Sequence, residues 1–211
     1  MKRILVIGGS SGIGLETVRL ALKRGHRVKA FARSASRIDL EDENLEKLDG
    51  DALDETSVKA ALNDVDAVVQ TLGIKLRPGT VMHGTTLFSE ATRKLIPAMK
   101  SQGVARLLAV TGYGAGDSGE TMNPFNRLGF NAVFARIYAD KSKQEAMIKD
   151  SQLQWTIARP GVLTGGSCGK YNILAEPDQF KMGIIARACV ADFLVKEIEN
   201  EDYLHKAPVL T

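Results

Sequence analysis

Seven residues near the amino terminus carry the first chemical signal: Gly8-Gly9-Ser10-Ser11-Gly12-Ile13-Gly14. The glycines at 8, 12 and 14 follow an apolar run, Arg3–Ile7, and open an amphipathic one, Ile13–Arg24. The spacing is not a strict G-x-G-x-x-G, yet the glycines can do the same work. One makes the tight turn, one lets the backbone approach a pyrophosphate, and one packs helix against sheet. The bare N–H groups and positive dipole end of a helix start favour an anion there. We therefore expect a dinucleotide on Gly8, Ser10, Ser11, Gly12, Ile13 and Gly14, with a purely structural turn as the alternative.

A second group of residues bears on which dinucleotide. Chains that bind NAD place an Asp or Glu about 20 residues beyond the glycines, on the ribose 2′-hydroxyl. The corresponding stretch here is Phe31-Ala32-Arg33-Ser34-Ala35-Ser36-Arg37, with no acid. A guanidinium pairs bidentately with a 2′-phosphate, which a carboxylate would repel. NADP(H) is expected over NAD(H), with Arg33 as primary ligand and Ser34 and Arg37 as helpers. Arg37 alone reads equally as a solvated surface charge.

These residues need a scaffold, and the chain alternates strands with helices. Strands are predicted at Arg3–Ile7, Arg27–Ala32, Leu45–Leu48, Ala67–Leu72, Ala105–Thr111, Gln154–Ala158 and Ala207–Leu210. Helices are predicted at Ile13–Arg24, Asp54–Leu62 (Asp54 as N-cap), His83–Ser101 with a kink at Pro97, Ile137–Lys149 and Ile184–Ile198. A glycine-rich loop, Gly112–Arg127, interrupts the pattern. The alternation predicts an α/β fold, a doubly wound and mostly parallel Rossmann sheet. The chain reads as one domain, 1–211, whose last part, roughly 160–211, includes a small substrate-side lobe.

Composition narrows the function classes. The chain has 211 residues, 44% hydrophobic and 25% charged, enough apolar side chain for a core. No apolar run is long enough for a membrane span or a signal peptide, so a cytoplasmic protein without membrane contact is expected. The net charge is +3 and no basic block resembles a nucleic-acid arm. His26, His83 and His205 lie far apart in sequence, so no metal is expected. Cys168 and Cys189 make no disulfide framework.

The chain is identified as a member of the atypical short-chain dehydrogenases/reductases, in the small group that includes flavin (biliverdin) reductases and NmrA-like proteins. The resemblance covers nearly the whole chain. It rests on the glycine loop, Arg33, Gly50–Asp54, Gln70–Gly73, Val110–Ser118, Tyr138-Ala139-Asp140-Lys141 and Trp155–Gly161. It implies that Asp51 and Ala52 lie beside the adenine. Leu72 and Gly73 would flank the adenosine ribose and pyrophosphate. Thr111 and Gly112 would approach the nicotinamide ribose, and Pro160, Gly161 and Val162 the carboxamide.

The wider superfamily uses Tyr-x-x-x-Lys, in which lysine lowers the phenol pKa for proton exchange with a carbonyl. Here Lys141 follows Tyr138 at i+3 and position 142 is Ser. Tyr138 reads as a proton donor or as a packing residue. Lys141 reads as a ribose ligand or as the partner of Glu145 in a helix ion pair. Tyr113 is a further candidate near the nicotinamide. Reduction of a flavin or quinone needs little more than stacking on the nicotinamide, so an incomplete dyad does not forbid it. The expectation is an NADPH-dependent reductase of a flat conjugated small molecule, working as a monomer or weak homodimer. An NmrA-like redox sensor without turnover is the alternative. Only about fifty residues follow Ala158, little room for an epimerase's substrate lobe.

Overall fold

The computed structural model describes residues 1–74, 78–122 and 124–211, with backbone alone at 78, 80–81 and 124–132. The elements in chain order are β1 (Arg3–Ile7), α1 (Gly12–Lys23), β2 (Arg27–Ala32), β3 (Leu45–Asp49), α2 (Glu55–Ala61) and β4 (Ala67–Gln70). There follow α3 (Pro78–His83), α4 (Leu87–Ser101), β5 (Arg106–Val110), α5 (Pro124–Lys149), β6 (Gln154–Pro160) and β7 (Val162–Thr164). The chain ends with β8 (Ile173–Leu174), β9 (Ile184–Ala186), α6 (Arg187–Asn200) and β10 (Val209–Leu210).

The main sheet runs β3-β2-β1-β4-β5-β6-β10-β8. Its pairings are parallel except β10 with β8. β1 sets Arg3 beside Arg27 of β2 and Ile4 beside Ala67 of β4, so the strand order reverses between β1 and β4. Ligands of such sheets bind at that switch point, beyond the carboxyl ends of the strands.

Strand side chains alternate faces, and β1 is apolar on both because helices cover both. Ile4 and Val6 join Val18 and Ala21 of α1 and Val190, Phe193 and Leu194 of α6. Leu5 and Ile7 join Val58 of α2, Leu95 and Met99 of α4 and Ile148 of α5. Asp54 caps α2, accepting the Ser57 N–H at 3.0 Å, as the sequence predicted.

Four expectations need correction. The helix foreseen at His83–Ser101 begins only at Leu87; His83 ends a separate helix, α3, and Gly84 follows it in the left-handed region (φ 74°). The break is fixed from outside: buried Asp140 accepts the Phe88 N–H at 2.9 Å and the Ser89 N–H, capping α4. The glycine-rich loop is shorter than foreseen, since α5 begins at Pro124 rather than near Ile137. Proline is well tolerated in a first helical turn, whereas Gly129 and Asn131 mask the helical period. The side chains of Pro124 and Phe125 lie outside the described residues. Ile184–Ala186 is strand, not helix, because it pairs with β7. Finally, Cys168 and Cys189 are joined by a disulfide with Cα atoms 4.7 Å apart. It ties the loop after β7 to the first turn of α6, a proximity created by the chain's excursion through β8 and β9.

Candidate functional site: a dinucleotide cradle and a buried ionic network

The glycine loop leaves β1 at the switch point. Gly8 has φ 88°, and a Cβ there would lie 2.8 Å from the Thr71 carbonyl oxygen. A Cβ on Gly14 would lie 2.6 Å from Thr71 Oγ1 and closer still to the Gly8 carbonyl oxygen. These two glycines therefore seal the loop against the end of β4. Gly12 differs: its φ is 57° and, among the described residues, a Cβ there would meet only the Arg187 Cδ, at 4.0 Å. Ser11 stands at the N-cap of α1 without a side-chain cap bond, and the first turn holds no acid. Bare N–H groups, no competing carboxylate and open space at Gly12 fit a diphosphate.

At the end of β2, Arg33 is exposed and has no ion pair or hydrogen-bonded side-chain partner among the described residues. Arg37 is exposed on the 3-10 turn Ala35–Arg37 and Ser34 stands at the N-cap of that turn. Sequence reasoning missed Asp49. Register places it beside Ala32, so β3 brings a carboxylate to a stretch that holds none of its own. Asp49 accepts the Ser36 N–H at 2.8 Å and the Ser36 hydroxyl at 2.7 Å. The Ser36 hydroxyl and N–H hold its carboxyl below the usual range, with Arg37 assisting. Its charge is thus engaged from within the turn that bears Arg37.

The residues expected on the adenosine side follow the ends of β3 and β4. Asp51 accepts the Leu53 N–H at 2.9 Å, which makes it a turn residue, and Ala52 is buried beside it. Leu72 packs at the edge of the second core cluster, and among the described residues nothing lies within 4 Å of where a Cβ on Gly73 would stand.

The end expected to face the nicotinamide is built by β5, α5 and β6. Thr111 is buried, donating its N–H to the Ala158 carbonyl and its hydroxyl to Glu145 Oε1 at 2.7 Å. Lys141 Nζ donates to the Thr111 carbonyl and lies 5.0 Å from the Phe88 ring centre and 5.2 Å from that of Tyr138. Burial pulls its ammonium down to about 8, against the pull of Glu145. The Tyr138 hydroxyl lies over Gly112, 2.6 Å from where a Cβ would stand. Tyr138 and Lys141 thus do converge on the end of β5, despite the i+3 spacing. Burial pushes the phenol up to about 12, which makes it a weak acid near neutrality. Ser142, at the superfamily's lysine position, accepts the Gly116 N–H at 2.9 Å and donates to the Tyr138 carbonyl. It ties the loop to α5.

Two readings change here. Glu145 forms no bridge with Lys141; it faces Arg159 instead, receiving Nε at 3.0 Å and Nη2 at 2.5 Å. Arg159 is wholly buried and also donates to Asp117 at 2.6 Å. Burial opposes charge at Asp117, but hydrogen bonds from Arg159 and Lys149 hold its carboxyl well below the usual range. A cation inside the apolar run Trp155–Pro160 was the sequence signal for this network. Tyr113, the further candidate at this end, lies buried in the loop after β5. It is 3% exposed, packed with Met122, Phe180 and Val209, and its hydroxyl meets Thr121 at 3.2 Å. It packs the loop from beneath.

Beyond β6, Pro160 accepts the Tyr113 N–H, and Gly161 donates to the Leu210 carbonyl. Val162 and Ile184 stand side by side on the β7–β9 ribbon, 54% and 68% exposed, with Met182 near in sequence and also exposed. They form an apolar ledge after the β6 end. No helix among the described residues is long and apolar enough to cross a membrane.

Known proteins share this plan. Residues 8–201 match the NAD(P)H-binding family. The uncharacterized protein YwnB of Bacillus subtilis is 31% identical over 216 residues, covering 95% of this chain and 94% of that protein. The structure of ChuY, an anaerobilin reductase from Escherichia coli O157:H7, superposes with a TM-score of 0.81 at 24% identity, covering 100% of this chain and 96% of that one. A short-chain dehydrogenase/reductase from Veillonella parvula, solved with NADP, gives a TM-score of 0.83 at 15% identity over 99% and 94% of the two chains. By the family match the chain belongs to the NAD(P)H-binding family, and its architecture is the Rossmann fold that these solved structures share.

Proposed function

We propose that the protein is an NADPH-dependent reductase acting on a flat, conjugated acceptor such as a flavin or a quinone. A bound nicotinamide dinucleotide supplies the hydride. The glycine loop and the α1 start hold its diphosphate, and Arg33, with Ser34 and Arg37, meets the 2′-phosphate. Thr111, Gly112 and Lys141 face the nicotinamide ribose, and Pro160, Gly161 and Val162 the carboxamide. The acceptor lies on the apolar ledge of Val162 and Ile184.

The observation that carries the acceptor class is Tyr138. Its hydroxyl sits at the right strand end, but burial makes it a poor proton donor at neutral pH. A simple ketone needs a proton as the hydride arrives; a flavin or quinone can take its proton from water. The reductase named among the structural relatives, ChuY, supports a reductive direction. The test is NADPH oxidation against a panel of flavins, quinones and simple ketones. Turnover with flavins or quinones, retained in Tyr138→Phe, is expected. Tight NADPH binding without turnover of any acceptor would replace this reading with a redox sensor.

A further inference from the structure

We infer that Arg187 is a second anchor for the cofactor diphosphate, closing on the glycine loop from α6; this rests on the dinucleotide reading above. Arg187 is the first residue of α6. Its position is set on both sides. Ile185, 3% exposed, packs in the same core cluster as Ile13 of α1. Cys189, two residues on, is buried and bonded to Cys168. Between these fixed points the side chain runs toward α1, bringing Cδ within 4.0 Å of the empty space at Gly12.

Among the described residues Arg187 has no ion pair and no hydrogen-bonded side-chain partner, although it is only partly exposed. Nearby cations at the α1–α6 contact are paired: Arg24 with Asp192 and Glu199, Lys196 with Asp192. The first turns of α1 and α6 contain no acid, and neither N-cap residue makes a side-chain cap bond. A cation at the positive end of a helix dipole is unfavourable by itself. A doubly charged diphosphate removes that cost, taking backbone N–H groups on one side and a forked guanidinium on the other. Gly12 has to lack a side chain because the ligand and Arg187 meet there.

The test is calorimetric titration of wild type, Arg187→Ala and Arg187→Lys with NADPH, NADH and adenosine 2′-monophosphate, with circular dichroism to establish folding. In Arg187→Ala both dinucleotides weaken by the same factor, about 10- to 100-fold, the size of a lost charge-assisted contact. The NADPH/NADH ratio and the affinity for adenosine 2′-monophosphate stay as in wild type, because that probe lacks the diphosphate. Arg187→Lys recovers part of the loss, keeping the charge without the fork. Unchanged dinucleotide affinity in Arg187→Ala overturns the inference and leaves the dinucleotide reading standing. Loss confined to NADPH also overturns it, by assigning the guanidinium to the 2′-phosphate. A folded wild type that binds neither dinucleotide removes the dinucleotide reading first, and the inference with it.

Discussion

Truncation of Glu145 to alanine strands a buried charge. Arg159 has no exposed surface and makes three charge-assisted bonds, two of them to Glu145. Without Glu145 the guanidinium keeps only Asp117, whose side chain is half exposed. Thr111 loses its hydroxyl acceptor as well. Removing one partner of a buried pair costs about 3–5 kcal/mol, and the orphaned hydroxyl about 1 more. Asp117 offsets part of this, so the expected loss is about 3–4 kcal/mol, a large share of the roughly 5–15 kcal/mol of a folded domain. The double variant Glu145→Leu/Arg159→Met replaces the pair with apolar side chains of similar volume. It should lose only about 1 kcal/mol or less, because no charge is then left in the interior. Urea unfolding at pH 7 reads both, with the slope checked for constancy so that midpoints convert to free energies. The same network holds Thr111 and the loop at Gly112–Gly119, so NADPH affinity should fall in the single variant too. A loss below about 1 kcal/mol in Glu145→Ala, or a double variant as weak as the sum of its singles, would falsify the buried-pair argument.

Further outcomes follow from single contacts. Lys141 has a folded-state pKa near 8, below the unfolded value, so the unfolded chain binds more protons between about 8 and 10.4. Its contribution therefore makes stability rise with pH across that window, up to the onset of Tyr138 titration; denaturation midpoints at pH 7.5 and 9.5 should show a rise that Lys141→Met flattens. Asp54→Ala removes the α2 N-cap and should cost about 1 kcal/mol in the same unfolding assay, with Asp54→Ser recovering most of it. The Cys168–Cys189 bond closes a loop of 21 residues, and its reduction, or Cys168→Ser, should cost about 3 kcal/mol on the chain-entropy account. A mass unchanged on reduction, or an unfolding midpoint indifferent to reductant, would speak against that bond. Glycine 14 has no room for a methyl group against Gly8 and Thr71, so Gly14→Ala should both lower the melting temperature and weaken dinucleotide binding, whereas the open site at Gly73 should accept alanine with little change in melting temperature.

Residue order alone was enough for much of what local chemistry and period govern. The apolar run Arg3–Ile7, the glycines after it and the alternation of short strands with amphipathic helices specify a parallel sheet with a phosphate-binding turn, because each depends on neighbours in sequence. The Asp54 cap belongs to the same class. What folding decided lies between residues distant in the chain. Register carried Asp49 to the end of β2, crossover packing set Arg187 over Gly12, and α5 turned Glu145 away from its neighbour Lys141 toward Arg159. It also paired Cys168 with Cys189 and buried Tyr113 under its own loop. A helical spacing tells which side chains can share a face, but the environment across from that face chooses the partner and sets each group's charge.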